Sequence, residues 1–383
     1  MNSAVPTSET YVQRTWRHFY ADSFARNGLR IVIVLFIVAA LAPFLANSHA
    51  LIRVADAQWS FPIFHSLQPI EWRFLFYVPL AGVIYLCRNQ FFARPGRSIL
   101  YLAALIVLIE IFIGFTHPIN DTSNDRDRPA SFKLMPMIPY SPIESTPDSF
   151  SPPSWKHLCG TDSTGRDIAA RMLHGARTSL SIGFVAQSIA LTIGVAIGGL
   201  AGYYRGWIDI GTCRFIEIMD CFPPLLLILV AISLFDSDKG NNMFYIMAVI
   251  GLTSWTGVAR LVRGEFLRLS ALPFTLAAKA VGASDGRIIL RHLLPNSLGP
   301  ILVAGTFGVA SAILIESSLS FLGFGMQAPT PSWGDILSDA RRYIDFAWWL
   351  AFFPGLAILI TIMSYNFMGE GLRDAVDPRL KVK

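Results

Sequence analysis

Residues 265–296 read EFLRLSALPFTLAAKAVGASDGRIILRHLLPN, and the rest of the chain is organised around them. The stretch lies between two long apolar runs, Met243–Val258 and Leu298–Leu322, and is itself too polar for a bilayer interior. From Arg260 to Leu298 it sets Arg260, Arg263, Arg268, Lys279, Arg287 and Arg291 against Glu265 and Asp285. Short loops with such an excess beside spans belong on the cytoplasmic side. The stretch also carries signals of local order. Leu276–Val281 favours helix, Gly282 offers a break, and Ser284 or Asp285 can cap a second helix through Leu294, which Pro295 is expected to end. The residues alone leave two readings open: an ordinary cytoplasmic loop, or a folded part that docks onto something.

Outward from this stretch the chain reads as a polytopic helical membrane protein. Its 383 residues are 53% hydrophobic and only 15% charged, with mean hydropathy +0.49, where a soluble domain carries about 25% charge. The net charge of +5 sits in short loops, so orientation in a membrane explains it and a nucleic-acid partner is not expected. We expect eight crossings: Ile31–Ala46, Phe74–Cys87, Ser98–Phe115, Ser179–Tyr203, Phe215–Phe235, Met243–Val258, Leu298–Leu322 and Phe346–Met368. Arg88, Arg94 and Arg97, without an acid between them, mark an inside loop, and an even number of crossings puts both termini in the cytoplasm. The organisation is then a cytoplasmic segment 1–30, an N-terminal membrane region 31–115, an extracytoplasmic loop 116–177, a core 178–370 and a cytoplasmic tail 371–383. Residues 11–24, with Tyr11, Trp16, Phe19, Tyr20 and Phe24, suit a short interfacial helix. Cys87, Cys159, Cys213 and Cys221 have no metal-ligand spacing, and a disulfide framework is not expected.

Leu276-Ala277-Ala278, Gly282 and Leu294-Pro295 resemble, without a gap, the EAA loop of ATP-binding-cassette importer permeases. Two positions depart from that pattern: Leu276 stands where the family has Glu, and His292 where it has Ile. Gly160-Thr161-Asp162 with Gly165-Arg166-Asp167, GARTSLSIG at 175–183, AGYYRGWID at 201–209, ESSLSFLGFGMQAPTPSWGDIL at 316–337 and GLRDAVDPRLK at 371–381 resemble the C-type permease subunit of dipeptide and oligopeptide importers. The resemblance covers Leu158 to the C-terminus almost continuously. It implies an all-α type I importer fold in a bacterial inner membrane. It also implies a second, homologous permease subunit, two cytoplasmic ATPase subunits that use ATP and Mg, and an extracytoplasmic substrate-binding protein. Ala277, Ala278, Gly282, Ser284, Asp285, Leu294 and Pro295 are then expected to contact an ATPase. The family generally has one span before its GTD motif, so the hairpin 74–115 is extra.

The remaining polar residues divide between structural and functional roles. Asp162, Arg166 and Asp167 are either a polar cluster at the outer mouth or a local turn, with Asp capping a helix and Arg paired to it. The turn is favoured, because such clusters are usually solvated and contribute little. Ionisable groups inside a membrane cost roughly 2.5–3.5 kcal/mol at a span centre, so each needs a reason. Glu110 is expected to face another helix, and Glu217 and Asp220 to lie near the interface. Glu316, followed by Ser317, is expected to face protein or a cavity, as an interhelical or a path-lining residue. Gly194, Gly198 and Gly202 form small-xxx-small repeats, which suit close helix packing within the chain or with a second permease. Pro223-Pro224 should kink or break its helix, and Ser332 should open a helix over Asp335–Tyr343.

The chain has no phosphate loop, HExxH, CxxC or paired-carboxylate set, so neither ATP nor a metal is expected on it, and it is read as a permease rather than an enzyme. A secondary transporter or channel acting alone is the rival. It calls for inverted repeats and a midplane ion relay, and neither is visible in the sequence.

Overall fold

The computed structural model describes residues 11–55, 58–67, 69–86, 105–110, 113, 132–234, 242–326 and 329–376. The expected loop at 88–97, most of the span Ser98–Phe115, and the expected loop 236–242 save its last residue lie outside these residues, as do 116–131 and the tail from 377.

Helices dominate. An amphipathic helix α1 (Tyr11–Ala21) precedes α2 (Ser23–Leu45), which contains the first expected span. Strands β1 (Ile52–Ala55) and β2 (Gln58–Ser60), a single helical turn α3 (Pro62–Ser66) and α4 (Pro69–Leu86) follow. Strand β3 (Phe132–Leu134) joins the first two in an antiparallel sheet of order β2-β1-β3. This small sheet departs from an all-α expectation. Its strands are three or four residues long and β3 is distant in sequence, so no alternating run marks it.

Next come α5 (Ile168–Tyr204), α6 (Gly206–Asp220), α7 (Pro224–Ser233), α8 (Asn242–Thr253), α9 (Trp255–Ser270), α10 (Pro273–Ala280) and α11 (Asp285–Ile288). A π-helical turn Ile289–Leu293 leads into α12 (Leu294–Phe321), followed by α13 (Trp333–Tyr343) and α14 (Trp349–Val376). Among the described residues four helical stretches are long and apolar enough to cross a membrane: α2, α5, Asp285–Phe321 and α14. They become six if the bent pairs α6–α7 and α8–α9 each make one span. The bends are 80° and 40°. The first falls at Pro223-Pro224, where the missing N–H and fixed φ forbid a continuous helix. Helix α4 begins five residues before the expected Phe74, and carries Glu71 and Arg73 near its start.

Helix α5 holds the expected span Ser179–Tyr203 and begins earlier, so that the chain is helical from Ile168 through Tyr204. Gly175 does not break it. A Cβ there would come within 3.3–3.4 Å of Ser332 and Trp333, so this glycine serves close packing.

The chain divides into two units. One comprises Met1–Val32, Ser179–Met326 and Leu356–Lys383. Within it, α5 packs on α8 and α9 through glycines: a Cβ at Gly194 would collide with Val258, at Gly198 with the Ala259 backbone, and at Gly202 with Arg263 and Phe266. The small-residue face is therefore used inside the chain, as the lack of any hydrophobic drive between helices in lipid requires. Phe19 and Ala25 pack on Ala375.

The other unit comprises Ile33–Thr178 and Gln327–Gly355. Its core joins Ile168, Ile336, Ala340, Trp349 and Leu350. Helix α4 is fixed to α5 here, Arg177 Nη1 donating to the buried Glu71 carboxylate at 2.9 Å, and the end of α2 is held to α5 as well, His174 Nε2 lying 2.9 Å from the Ala46 carbonyl oxygen. Glu110 accepts from Arg73 at 3.0 and 3.2 Å and from the Tyr77 hydroxyl at 2.7 Å, so it does face a helix.

Candidate functional site

The segment 265–296 folds as a helix, a turn and a second helix. Helix α10 starts at Pro273, whose missing N–H costs nothing in a first turn. It ends in a complete Schellman motif. Gly282 N donates to Lys279 O at 2.9 Å, Ala283 N donates to Ala278 O at 3.0 Å, and Gly282 has φ +84°. A left-handed residue closing these two bonds is the standard reason for glycine after a helix. Nothing lies within 4 Å of a Cβ built on Gly282, so its requirement is conformational, with no steric part.

Beyond the turn, Ser284 is the extended residue before α11, but its side chain makes no capping bond. Asp285 has a different partner, accepting from the Tyr203 hydroxyl at 2.6 Å. Lys279 Nζ sits 4.8 Å from the centre of the same Tyr203 ring. Tyr203, at the end of α5, thus touches both sides of the glycine turn. Exposure divides the expected contact residues. Leu276, Ala277, Gly282, Ser284, Asp285 and Pro295 are exposed, whereas Ala278 and Leu294 are half-buried and pack on the cluster around Val262, Phe266 and Ile288.

Pro295 does not end the helix, which corrects the expectation. The chain stays helical from Asp285 to Phe321 through the π-helical turn at Ile289–Leu293. A wider turn just before the proline removes the i→i−4 pairing that its ring would block, so the helix continues.

The segment is anchored from behind. Arg263 forks onto the Asp209 carboxylate, through Nη2 at 2.8 Å and through Nε. Arg205, held at φ +58°, donates to Ser270 Oγ at 2.9 Å. Arg260 pairs with Asp220 at 2.9 Å, and Arg268 with Glu265 at 2.7 Å. Glu217 pairs with Arg214 at 2.6 Å.

The motif at 160–167 forms a second constellation, and it is buried. Gly160 and Gly165 both have positive φ, +79° and +78°. Thr161 O accepts from Trp349 Nε1 at 3.1 Å. Asp162 Oδ1 accepts from Thr164 N, Thr164 Oγ1 and Arg166 N at 2.8–2.9 Å. Its Oδ2 accepts from Arg166 Nε at 2.7 Å and from Arg171 Nη1. Arg171, 2% exposed, also reaches Asp335 at 2.7 Å and Asp339 at 3.4 Å. Asp167 caps α5 by accepting from Ala170 N at 2.8 Å, and its other oxygen takes the buried His157 Nδ1 at 2.8 Å. The expected turn and cap are present, but the expectation of a solvated, weakly contributing cluster is not met: Asp162 and Asp167 are 0% and 1% exposed. Burial works against the Asp162 charge, and Arg171 with Arg166 outweighs it, holding this carboxyl below the ordinary aspartate range. Burial, with Asp339 nearby, pushes Asp335 up despite Arg171. Burial and then Asp167 push the Cys159 thiol up to about 11. Cys159, Cys213 and Cys221 are free thiols.

Sequence reading missed Arg171, His157, Asp335 and Tyr203 as members of these sites. Their signal lay in the motif order: Asp335 and Tyr203 fall inside stretches quoted above, and Arg171 lies one helical turn beyond Asp167. Glu316 is fully buried in α12, its Oε1 accepting from Ser320 Oγ at 2.8 Å, and buried Ser317 donates to Ile313 O at 2.8 Å. The Glu316 carboxylate is enclosed by protein. No group of His, Cys, Asp and Glu suited to a metal exists among the described residues.

Two family models match this chain. Residues 194–382 match the binding-protein-dependent transport system inner membrane component, and residues 10–62 the N-terminal membrane domain of oligopeptide transport permease C. The dipeptide transport system permease protein DppC of Alkalihalophilus pseudofirmus is 44% identical over 60% of this chain and 74% of its own length. The chain belongs to the binding-protein-dependent transport permeases. The oligopeptide permease protein OppC of Haemophilus influenzae is 41% identical over 58% of this permease and 70% of its own length. The glutathione permease protein GsiD of Pectobacterium atrosepticum is 40% identical over 60% and 75%. Among solved structures, an inward-facing form of the MetNI methionine transporter is 18% identical, covers 54% of this permease and 95% of that chain, and has a TM-score of 0.45. The permease is thus a multi-pass inner-membrane protein of an importer family.

Proposed function

We propose that this permease forms, with a second homologous subunit, the path of an ATP-driven importer for peptides of the dipeptide and oligopeptide class. Two cytoplasmic ATPase subunits hydrolyse ATP with Mg, and an extracytoplasmic binding protein delivers the solute. The substrate class rests on the relatives, whose names speak of dipeptides, oligopeptides and glutathione. Eight crossings, with the hairpin 74–115 added to six, place both termini and residues 265–296 in the cytoplasm.

The observation that carries the coupling role is the continuity of the segment with a span. The exposed Ala277, Gly282, Ser284 and Asp285 lead without a break into the helix Asp285–Phe321. An ATPase bound to this surface, with Ala278 and Leu294 backing it and Pro295 at its edge, moves a membrane helix whenever it closes. Nucleotide then biases two states of the permease pair by differential contact, as any allosteric drive must.

The test is Gly282→Val in the complete importer in proteoliposomes. A side chain at φ +84° costs about 1–2 kcal/mol, more when β-branched, and distorts the turn without filling occupied space. Peptide uptake per ATP hydrolysed should fall at least several-fold with the complex still assembled. Uptake at the native ratio, or uptake by the permease alone without hydrolysis, would overturn the proposal.

A further inference from the structure

The sheet β2-β1-β3 is turned inside out for a protein in water. Direct cross-strand partners share a face. Val54 lies opposite both Trp59 and Phe132, and Ile52 opposite Leu134, so these five apolar residues form one face. Arg53, opposite Lys133 and Ser60, lies on the other. On the apolar face Trp59 is 68% exposed, Phe132 54% and Leu134 45%, with Ile52 and Val54 half-buried; on the other face Arg53 and Lys133 are half-buried and Ser60 is exposed. Clustered exposed apolar residues on a sheet mark a contact surface.

Continuity with the bilayer surface selects the occupant. Six residues, 46–51, separate the end of the spanning helix α2 from β1, a reach of at most about 20 Å. An aromatic chain bridges that gap. Phe44 of α2 contacts Phe64 of α3 with centroids 6.1 Å apart, Phe64 contacts Phe61 at 6.4 Å and stacks on Trp72 at 6.2 Å, and Trp72 stacks on Phe76 at 5.8 Å. Helix α3 packs on β1. A chain of aromatic rings, of the composition that membrane interfaces favour, therefore runs from α2 to the edge of the sheet. A docking protein that comes and goes would leave Trp59 and Phe132 bare between visits, whereas lipid is present throughout.

We propose that the Trp59–Val54–Phe132 face rests on the outer leaflet of the bilayer, its aromatic side chains at headgroup depth, as an anchor for the extracytoplasmic part of the chain. The anchor acts on phospholipid as a class and holds whatever solute the importer carries.

Spin labels attached at Trp59→Cys, Phe132→Cys and Ser60→Cys in cysteine-substituted permease, within the assembled importer in phosphatidylcholine–phosphatidylglycerol nanodiscs, test it by collision with oxygen and with a nickel chelate. The expected result is oxygen collisions exceeding nickel collisions at 59 and 132 and the reverse at 60. Equal or greater nickel access at 59 and 132 overturns the proposal. So do labels there that become shielded only on adding the binding protein, which assigns the face to that protein. If the labelled proteins do not assemble, native permease and Trp59→Phe are compared in lipid brominated near the headgroup. Loss of a quenchable fluorescence component with Trp59→Phe supports the anchor, and an unchanged quenching profile rejects it.

Discussion

At the scale of single residues, Arg171 holds the cluster around Asp162 together. It is buried, and it meets Asp162, Asp335 and Asp339 at once. Removing one partner of a buried ion pair strands the others at roughly 3–5 kcal/mol, so Arg171→Met should lower the melting temperature of the purified importer sharply. The two main acids should differ. Arg171 and Arg166 hold Asp162 charged, whereas burial disfavours the charge of Asp335. Asp162→Asn should therefore destabilise more than Asp335→Asn in parallel melts near neutral pH. The pH dependence follows from the same directions. Asp162 is depressed in the folded chain, so its contribution is complete above the unfolded aspartate pKa and is lost as pH falls through its lower folded value. Asp335 is raised, so it works against stability as pH rises from the unfolded pKa through its folded one. Asp162→Asn should accordingly flatten the acid limb of a stability-against-pH curve, and Asp335→Asn should not.

At the scale of elements, the face of α5 bearing Gly194, Gly198 and Gly202 sets how closely α9 approaches. Gly198→Leu would drive a side chain into the Ala259 backbone, and the expected outcome is loss of permease from the membrane fraction. Gly211→Ala in α6 meets nothing within 4 Å, and should leave the amount unchanged or higher, since alanine is favoured over glycine in a helix by up to about 1 kcal/mol. Tyr203→Phe keeps the ring beside Lys279 and deletes the hydrogen bond to Asp285. It should cost about 1 kcal/mol or less, yet lower uptake per ATP, because the two halves of the docking segment are then tied on one side only. The turn at Gly282 was legible because its physics is local, a helix former followed by a glycine, whereas the capping bond expected of Ser284 or Asp285 is not made. Pro295 misled because the remedy, one wide helical turn, depends on backbone freedom that composition does not register. The burial of Asp162 was illegible for another reason. Arg171, its buried partner, is shared with Asp335, which lies 173 positions from Asp162 (335 − 162), and solvation cannot be read from a motif alone.

At the scale of the whole molecule, the membrane class, the order of the core helices and the family were all readable, because apolar length and a fixed series of motifs are properties of the chain itself. The small sheet and the ties of α4 to α5 were not, since each joins residues far apart in sequence. Sidedness has a direct check. Val281, 88% exposed beside the glycine turn, and Trp155, 99% exposed in the loop before α5, are suitable reporters. In sealed spheroplasts an impermeant maleimide should label Trp155→Cys at once, and Val281→Cys only after the membrane is opened. The opposite pattern would invert the topology and remove the docking segment from any reach of a cytoplasmic ATPase.

The unbroken helix from Asp285 to Phe321 has 37 residues, which at 1.5 Å each make a rod about 55 Å long, well beyond the ~30 Å hydrocarbon thickness. Pivoted near its inner tip, such a rod swings its far end by about 5 Å for each five degrees of rocking. In the proposed orientation, small displacements beneath the membrane become gate-sized ones above it, and looseness at the near end is magnified in the same proportion.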